Sequence, residues 1–558
     1  MTSLTATAQA RIGLLGNPSD IYGGRGLGFS VAEIGVEVTL SSAVMITLPN
    51  DLLRAGWLLA ERELNAAGID PRSRPFDLTF ASTIPFQGGL SGSSALLIAA
   101  LRAWSRWFGL WLEPARIAEL AWRAENEVLG IRAGPLDRLV QAHDGLLAMD
   151  FADPFAVGAV ERLEPDLLPP LLLAWHGTPG QSSGDVHAPV FARWQAGDAE
   201  VRDIMQQLAA NAMAGRDALL AADHDAFRAS IDRNFDLRAR VFPIAAADRA
   251  LIELGRRHGA GSKFPGSGGA ALFACRDEAH RAELEAVCRA DGHETLRPTV
   301  KPARPRLRAV FLAAGFATRL YPLTQRQAKP LLEIGGRPML TRILDDVIRT
   351  GAVSDGVVVT NARFHADFVA WERSARPRLP ITVIDDGATT NETRLGAVRD
   401  LALALEQTEE TATPDGYLVL ACDNLFEFDL VRLVDRFAAT GQGQLIVRRI
   451  PTPVPSGRYS EVLLDGERVA RFREKPADPE SDLSAIAIYL LPRELPALVR
   501  EYLGSDRNPD APGHLLAWLS RRLPLQASRL EGRWLDIGSV EDLERARRMF
   551  ESAPESSA

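Results

Sequence analysis

Gly88-Gly89-Leu90-Ser91-Gly92-Ser93-Ser94-Ala95 runs straight into a helical pattern at Leu96, Leu97, Ala100 and Leu101. Far down the same chain, Leu312-Ala313-Ala314-Gly315-Phe316-Ala317-Thr318-Arg319-Leu320 continues the strand-like run Ala309-Val310-Phe311-Leu312, and Lys329-Pro330-Leu331 follows. A glycine-rich turn at a helix N-terminus offers unpaired backbone N–H groups and a positive dipole end, which suit phosphate. In the second stretch, glycines let the backbone approach a polyphosphate, with Arg319 and Lys329 at hand to neutralise charge. The two loops differ in residues and in setting, so the chain is expected to carry two phosphate-handling domains.

Working outward, Arg297 to Arg306 holds three prolines, three arginines and a lysine and no acid, which predicts an extended linker. The expected division is therefore a domain over 1–296, a linker over 297–306, a domain over 307–550, and a disordered tail over 551–558. Behind the linker, short β-branched runs (Gly356–Thr360, Ile381–Ile384, Tyr417–Leu420) alternate with helical spacing at Met339, Leu340, Ile343, Leu344, Val347 and Ile348. That alternation predicts an α/β domain built on a mostly parallel sheet, with buried strands and ligands beyond the carboxyl ends of the strands. The first domain reads as α+β, with strands near 31–48 and 77–82 and helices near 94–109, 114–128 and 198–221.

Composition narrows the partners. The chain has 558 residues, 46% apolar and 24% charged, with a net charge of −9. An acidic chain of this length suits a multidomain globular protein and argues against nucleic acid as its partner. Three widely spaced cysteines, Cys275, Cys288 and Cys422, give neither a disulfide framework nor a zinc pattern. No apolar run approaches the length of a membrane span and the start lacks a signal-peptide pattern, so a cytoplasmic location without a membrane partner is expected. A homo-oligomer is left open.

Three more segments accompany the Gly88 loop: Arg11–Val31 (RIGLLGNPSDIYGGRGLGFSV), Glu125–Asp137 (ENEVLGIRAGPLD) and Gly259–Ala270 (GAGSKFPGSGGA). Together they resemble the motifs of the GHMP small-molecule kinases, over about residues 10–290. The Gly16–Asp20 opening, Asn234–Arg238 and Ser262–Phe264 are most similar to the glucuronokinase branch. The resemblance implies a GHMP-kinase-like α+β fold and phosphorylation of a sugar from ATP. Gly88, Gly89, Ser91, Gly92, Ser93 and Ser94 would bind the nucleotide. Asp137 would be the catalytic carboxylate, and Glu125 with Ser93 or Ser94 would hold Mg²⁺. Asp20 would bind sugar hydroxyls. A uronic acid would further need an arginine to pair with its carboxylate, and Arg25 and then Arg238 are the candidates.

The second loop resembles the signature of sugar-1-phosphate nucleotidyltransferases, through Tyr321–Thr324, Lys329-Pro330, Ala421–Asn424, Arg473–Pro476 and Trp534–Gly538. The resemblance implies a Rossmann-like domain over about 307–550. In it, Leu312, Ala314, Gly315 and Thr318 would bind the nucleotide and Arg319 and Lys329 would be catalytic. Lys475 would contact the sugar phosphate, and Asp423 and Asp536 would hold Mg²⁺. Ala317 and Ala328 depart from the pattern, standing where it has glycine and proline.

The paired resemblances imply a bifunctional enzyme: a sugar becomes a sugar 1-phosphate, which an NTP converts to a nucleotide sugar. Glucuronate, with ATP and then UTP, is the first choice. Galacturonate, fucose or a heptose, an alcohol phosphate for the second domain, and a nucleotide-sensing second domain are the alternatives.

Overall fold

The computed structural model describes residues 3–85, 88–110, 112–156, 158–176, 183–375, 377, 379–408, 413–529 and 532–551. Most of the expected tail lies outside the described residues. The chain divides into two compact units, one holding Met1–Phe108 and Leu112–Ala303, the other Arg304–Ala558 with residues 109–111.

The first unit is built on two antiparallel sheets. In the larger one, β1 (Ser3–Leu15) pairs with β2 (Arg25–Ser42) along nearly its whole length, from Ser3 opposite Ser41 to Leu15 opposite Leu27. Strands Leu146–Asp150 and Phe76–Ser82 also pair with β2, and Val160–Leu163 closes the edge. β2 begins six residues before the strand expected near 31. Its early glycines read as loop in the sequence but are strand residues in tight quarters: a Cβ on Gly28 would come 2.9 Å from the Ile12 carbonyl oxygen. The smaller sheet has the order Gly261–Lys263, Ala270–Ala274, Leu171–Trp175, Glu294–Leu296.

Helix α1 (Gly92–Trp107) lies on β1 and β2 and is buried from Ser94 to Trp107. It carries two arginines into the interior because each finds a carbonyl there. Arg102 donates to Thr7 O and Arg106 to Thr5 O, both at 2.8 Å. A second helix, α2 (Leu136–His143), packs on β1 and β2 as well. The N-termini of α1 and α2 meet at the Ser91–Asp137 contact described below. The segment near 114–128, expected as one helix, is an α-helix over Pro114–Arg123 that widens to a π turn at Ala124–Val128.

The second unit holds a nine-stranded sheet with the order Ile381–Asp385, Val353–Thr360, Leu307–Leu312, Gly416–Ala421, Leu483–Pro492, Gly443–Arg449, Leu525–Arg529, Arg468–Arg473, Glu461–Asp465. The first four strands are mutually parallel. Beyond them the pairing is antiparallel except between Gly443–Arg449 and Leu525–Arg529. Call Leu307–Leu312 β3, Val353–Thr360 β4 and Gly416–Ala421 β5.

β3 is covered on both faces: Leu307, Ala309 and Phe311 join one apolar cluster and Val310 the other. This is why its sequence from Ala309 to Leu312 is a continuous apolar run. The helix Met339–Ile348 buries the six residues whose spacing predicted it. Ile381–Asp385, expected as a buried strand, is the sheet edge, and only Ile384 of it is buried. All three cysteines are buried and free. Among the described residues no helix is long and apolar enough to cross a membrane.

Candidate active sites

In the first unit the Gly88 loop ends at Ser91, whose backbone is left-handed (φ 61°, ψ 49°), and α1 starts at Gly92. Gly89 also has positive φ (67°), and a Cβ there would lie 2.5 Å from the Gly268 carbonyl oxygen. Glycine at 89 therefore lets the two glycine-rich loops touch backbone to backbone. Ser91 Oγ donates to Asp137 Oδ2 at 2.6 Å, and Arg11 Nε donates to Asp137 Oδ1 at 2.5 Å. Arg11 Nη1 also bridges the carbonyls of Gly89 and Pro265, both at 2.9 Å. One arginine thus ties the carboxylate to both loops.

Burial alone would raise the Asp137 carboxyl, but Arg11 and Arg138 outweigh it and hold Asp137 below the usual carboxylate range. Asp20 goes the other way. Burial and the neighbouring Asp137 charge push it up to about 6, against the pull of the Leu136 N–H. Gly134 makes room for it, since a Cβ there would overlap Asp20 Oδ2 at 1.8 Å. One carboxylate is kept ionised and the other is poised to titrate, a division found where proton placement matters.

Glu125 is buried and receives both Nε and Nη2 of Arg138 on the single oxygen Oε2. Ser94 is also buried and its hydroxyl donates to Ser91 O at 3.2 Å, while Ser93 is exposed. Arg25 is half exposed and pairs with Asp150 at 3.0 Å. Lys263, inside the Ser262–Phe264 motif, is buried and spends its three N–H groups on Gly13 O, Asn17 Oδ1 and Phe264 O. Burial, then Arg238 and Arg11, hold its ammonium well below the ordinary value.

In the second unit a cavity of about 510 Å³ opens at the carboxyl ends of β3 and β5. Leu312, Ala314, Gly315, Ala317, Lys329, Asp423, Lys475 and Asp536 line it. Gly315 faces open space, with nothing within 4 Å of where its Cβ would be. Lys329 Nζ donates to Asp423 Oδ2 at 3.0 Å. The short ladder that sets Asn424 opposite Asp536 brings Asp423 and Asp536 together, although 113 residues apart in sequence. Burial first, and then the Asp423 charge, raise the Asp536 carboxyl, with Lys329 and Arg319 pulling it down.

Two carboxylates that repel one another at a cavity wall fit a magnesium ion, which takes one or two protein carboxylates and completes its shell with phosphate and water. No group of three or more metal-ligating side chains occurs among the described residues. Thr318 and Arg319 are exposed in the short helical turn after Ala317 and are not among the residues that line the cavity. Lys475 takes a positive φ of 45° and lies 3.7 Å from Glu474. Glu474 is itself part of the wall and is raised by burial.

Sequence reading missed the partners of the site carboxylates: Arg11, which holds Asp137, and Arg138, which holds Glu125. It also missed Asp386 and Asp400, which line the second cavity and whose charges act on each other. Burial and then Asp386 push Asp400 up to about 7. Arg11 opens a quoted motif and Arg138 follows Asp137 directly, so position was a signal for both; the aspartate pair gave none.

Comparison with known proteins matches residues 51–145 to the N-terminal domain of the GHMP kinases and residues 308–552 to the nucleotidyl transferase family. Glucuronokinase 1 of Arabidopsis thaliana is 33% identical over 327 residues, covering 52% of this chain and 90% of that protein. The chain belongs to the GHMP kinases. Behind its kinase half it carries a nucleotidyl transferase domain.

That second half is 27% identical over 249 residues to the UTP–glucose-1-phosphate uridylyltransferase of Synechocystis sp., covering 43% of this chain and 63% of that protein. It is 26% identical over 240 residues to the mannose-1-phosphate guanylyltransferase catalytic subunit beta of Danio rerio, covering 42% and 62%. This GHMP kinase thus spans under two thirds of the length of these two transferase relatives. Their names specify different bases at nearly equal identity, so similarity alone does not choose between them.

Proposed function

We propose that this protein makes a nucleotide sugar in two steps, phosphorylating D-glucuronate at its anomeric oxygen from ATP and then joining the 1-phosphate to UMP from UTP. For the first step, the observation that carries the reading is the contact of Asp137 with Ser91 at the start of α1. It places an ionised carboxylate beside the backbone donors that suit phosphate. In the reaction the sugar hydroxyl oxygen bonds to the γ-phosphorus, ADP departs, and the hydroxyl proton passes to Asp137. A carboxylate held low by two arginines is a weak base. Its work is therefore to orient the hydroxyl and take the proton late, as a loose phosphoryl transition state permits. Asp20, beside it, accepts from other sugar hydroxyls. Glu125 with Ser93 or Ser94 would hold Mg²⁺ in this half.

In the second half, an oxygen of the sugar phosphate bonds to the α-phosphorus of the NTP and pyrophosphate leaves. Leu312, Ala314, Gly315 and Thr318 would hold the nucleotide, Arg319 and Lys329 the charge that develops, and Lys475 the sugar phosphate. Asp423 and Asp536 would hold Mg²⁺, which supplies charge neutralisation across the phosphates. The product of the first half is then the substrate of the second, in the cytoplasm. Glucuronokinase 1 of Arabidopsis thaliana favours glucuronate as the sugar; UTP is the simplest choice among bases that the transferase relatives do not separate.

The test is a matrix of sugars and sugar 1-phosphates against ATP, UTP, dTTP, GTP and CTP with Mg²⁺, read by product mass. Glucuronate with ATP and UTP is expected to give UDP-glucuronate and pyrophosphate. Another sugar or base at higher kcat/KM would replace these assignments. Nucleotide binding without pyrophosphate release would make the second half a sensor.

A further inference from the structure

The helix His224–Ala239 carries Asn234 and Arg238 four residues apart, on one face. Asn234 fixes the turn after β1: its Oδ1 accepts from Gly16 N at 2.8 Å and its Nδ2 donates to Asn17 O at 3.3 Å. One turn further on, Arg238 is only 3% exposed. Its Nη2 donates to Ser267 O at 3.1 Å, and its guanidinium lies 4.6 Å from the Phe242 ring centre and 5.9 Å from that of Phe264. Its Nε is buried with no acceptor. Among the described residues no carboxylate stands within ion-pair distance of it.

This sets Arg238 apart from the other cations of the site. Arg11 is paired with Asp137, Arg138 with Glu125, and Arg25 with Asp150. Lys263 has all three donors engaged. A buried guanidinium with no counter-charge is destabilising, and a bound anion would offset that. Burial, and then repulsion from Arg11, bring it down to about 10, while Asp20 and Asp248 pull the other way from beyond contact. Arg238 therefore stands in the same field as Asp20 and Arg11, at the seam where the Gly16–Asp20 turn meets the 265–268 loop.

We propose that Arg238 is the residue that takes the carboxylate of a uronic acid in the kinase site, and so selects sugar acids over neutral sugars. The assignment rests on the kinase reading above. Two anions could reach this place, the sugar carboxylate and a phosphate of ATP, because the 265–268 loop also touches Gly89. The carboxylate is the better match. The phosphates already have the N-terminus of α1 and the loop N–H groups, whereas Asp20 marks this seam as the sugar side. A planar fork lying against two aromatic rings is also set for bidentate pairing with a carboxylate.

The experiment uses the full chain and reads ADP release against glucuronate, galactose and ATP for wild type, Arg238→Met and Arg238→Lys. Loss of a buried bidentate pair predicts a rise of roughly 30- to 100-fold in KM for glucuronate in Arg238→Met. The KM for ATP is expected to stay within about threefold and the relative use of galactose to increase. Arg238→Lys keeps a buried cation but loses the fork, and a rise of about tenfold is expected. This variant decides the matter should Arg238→Met fail to fold, as judged by thermal unfolding.

A rise in the KM for ATP with the glucuronate KM unmoved would assign the arginine to phosphate and overturn the proposal, as would no change in either. If wild type uses only neutral sugars, the glucuronate reading fails and Arg238 loses its role with it. If wild type uses glucuronate and both variants keep its KM, the assignment of Arg238 alone fails.

Discussion

Ala317 stands where the nucleotidyltransferase signature has glycine, and replacing it with glycine is a direct test of whether the second half is built to react. The structure puts Ala317 at φ 48° and ψ 45°, the left-handed region. That conformation costs an L-residue about 1–2 kcal/mol, which Ala317→Gly releases. Against this, glycine loses about 0.5–1 kcal/mol through the greater freedom of the unfolded chain. The methyl, half buried against the cluster containing Leu320 and Leu331, takes with it part of the ~0.8 kcal/mol of a buried carbon. The contributions nearly cancel, so stability is expected to move by less than about 1 kcal/mol and any change in rate is free of a folding effect.

The backbone already adopts the shape that a glycine would give it. Its carbonyl is fixed in that shape by the Leu320 N–H at 2.9 Å and the Thr324 hydroxyl at 2.8 Å. Pyrophosphate release from UTP and glucuronate 1-phosphate is therefore expected to keep its kcat/KM within about threefold in Ala317→Gly. A gain of tenfold or more with an unchanged thermal midpoint would show that the methyl crowds the triphosphate, and would refute this reasoning.

Three further outcomes follow. Asp137→Asn is expected to cut sugar phosphorylation by roughly 10²–10⁴-fold and leave pyrophosphate release unchanged, measured as ADP and pyrophosphate on the same preparation. Asp423→Asn is expected to do the reverse, because it removes one of the two carboxylates and the partner of Lys329. The stability of the C-terminal unit is expected to fall as pH rises from about 4 to 8. Asp400, raised to about 7, holds in the folded state a proton that the unfolded chain has already released, so raising pH favours unfolding. The loss is up to about 4 kcal/mol for a shift of this size. Asp400→Asn is expected to flatten the profile, read as the urea midpoint of that unit at pH 5 and pH 8.

What was legible in the sequence is what is local. β3, β4, β5 and the helix Met339–Ile348 show themselves because the period of apolar residues is set by neighbours along the chain. The glycine-rich loops show themselves because turns need particular residues at particular places. The carboxylates could be carried over by motif, but their electrostatic state could not. Asp137 is an ionised acceptor because Arg11 reaches it across 126 residues. Asp20 is raised because folding buries it and then sets Asp137 next to it, and Asp400 because folding buries it and then sets Asp386 beside it.

The same reasoning explains why Arg25 came before Arg238 as the carboxylate candidate in the sequence. Both arginines lie in matching motifs, and nothing along the chain says which is paired. Folding sets Asp150 beside Arg25 at the exposed start of β2 and leaves Arg238 buried among phenylalanines, held by a carbonyl and by no acid. In a charged site, the residue without a partner is the one that waits for a ligand, and only the fold reveals which residue that is.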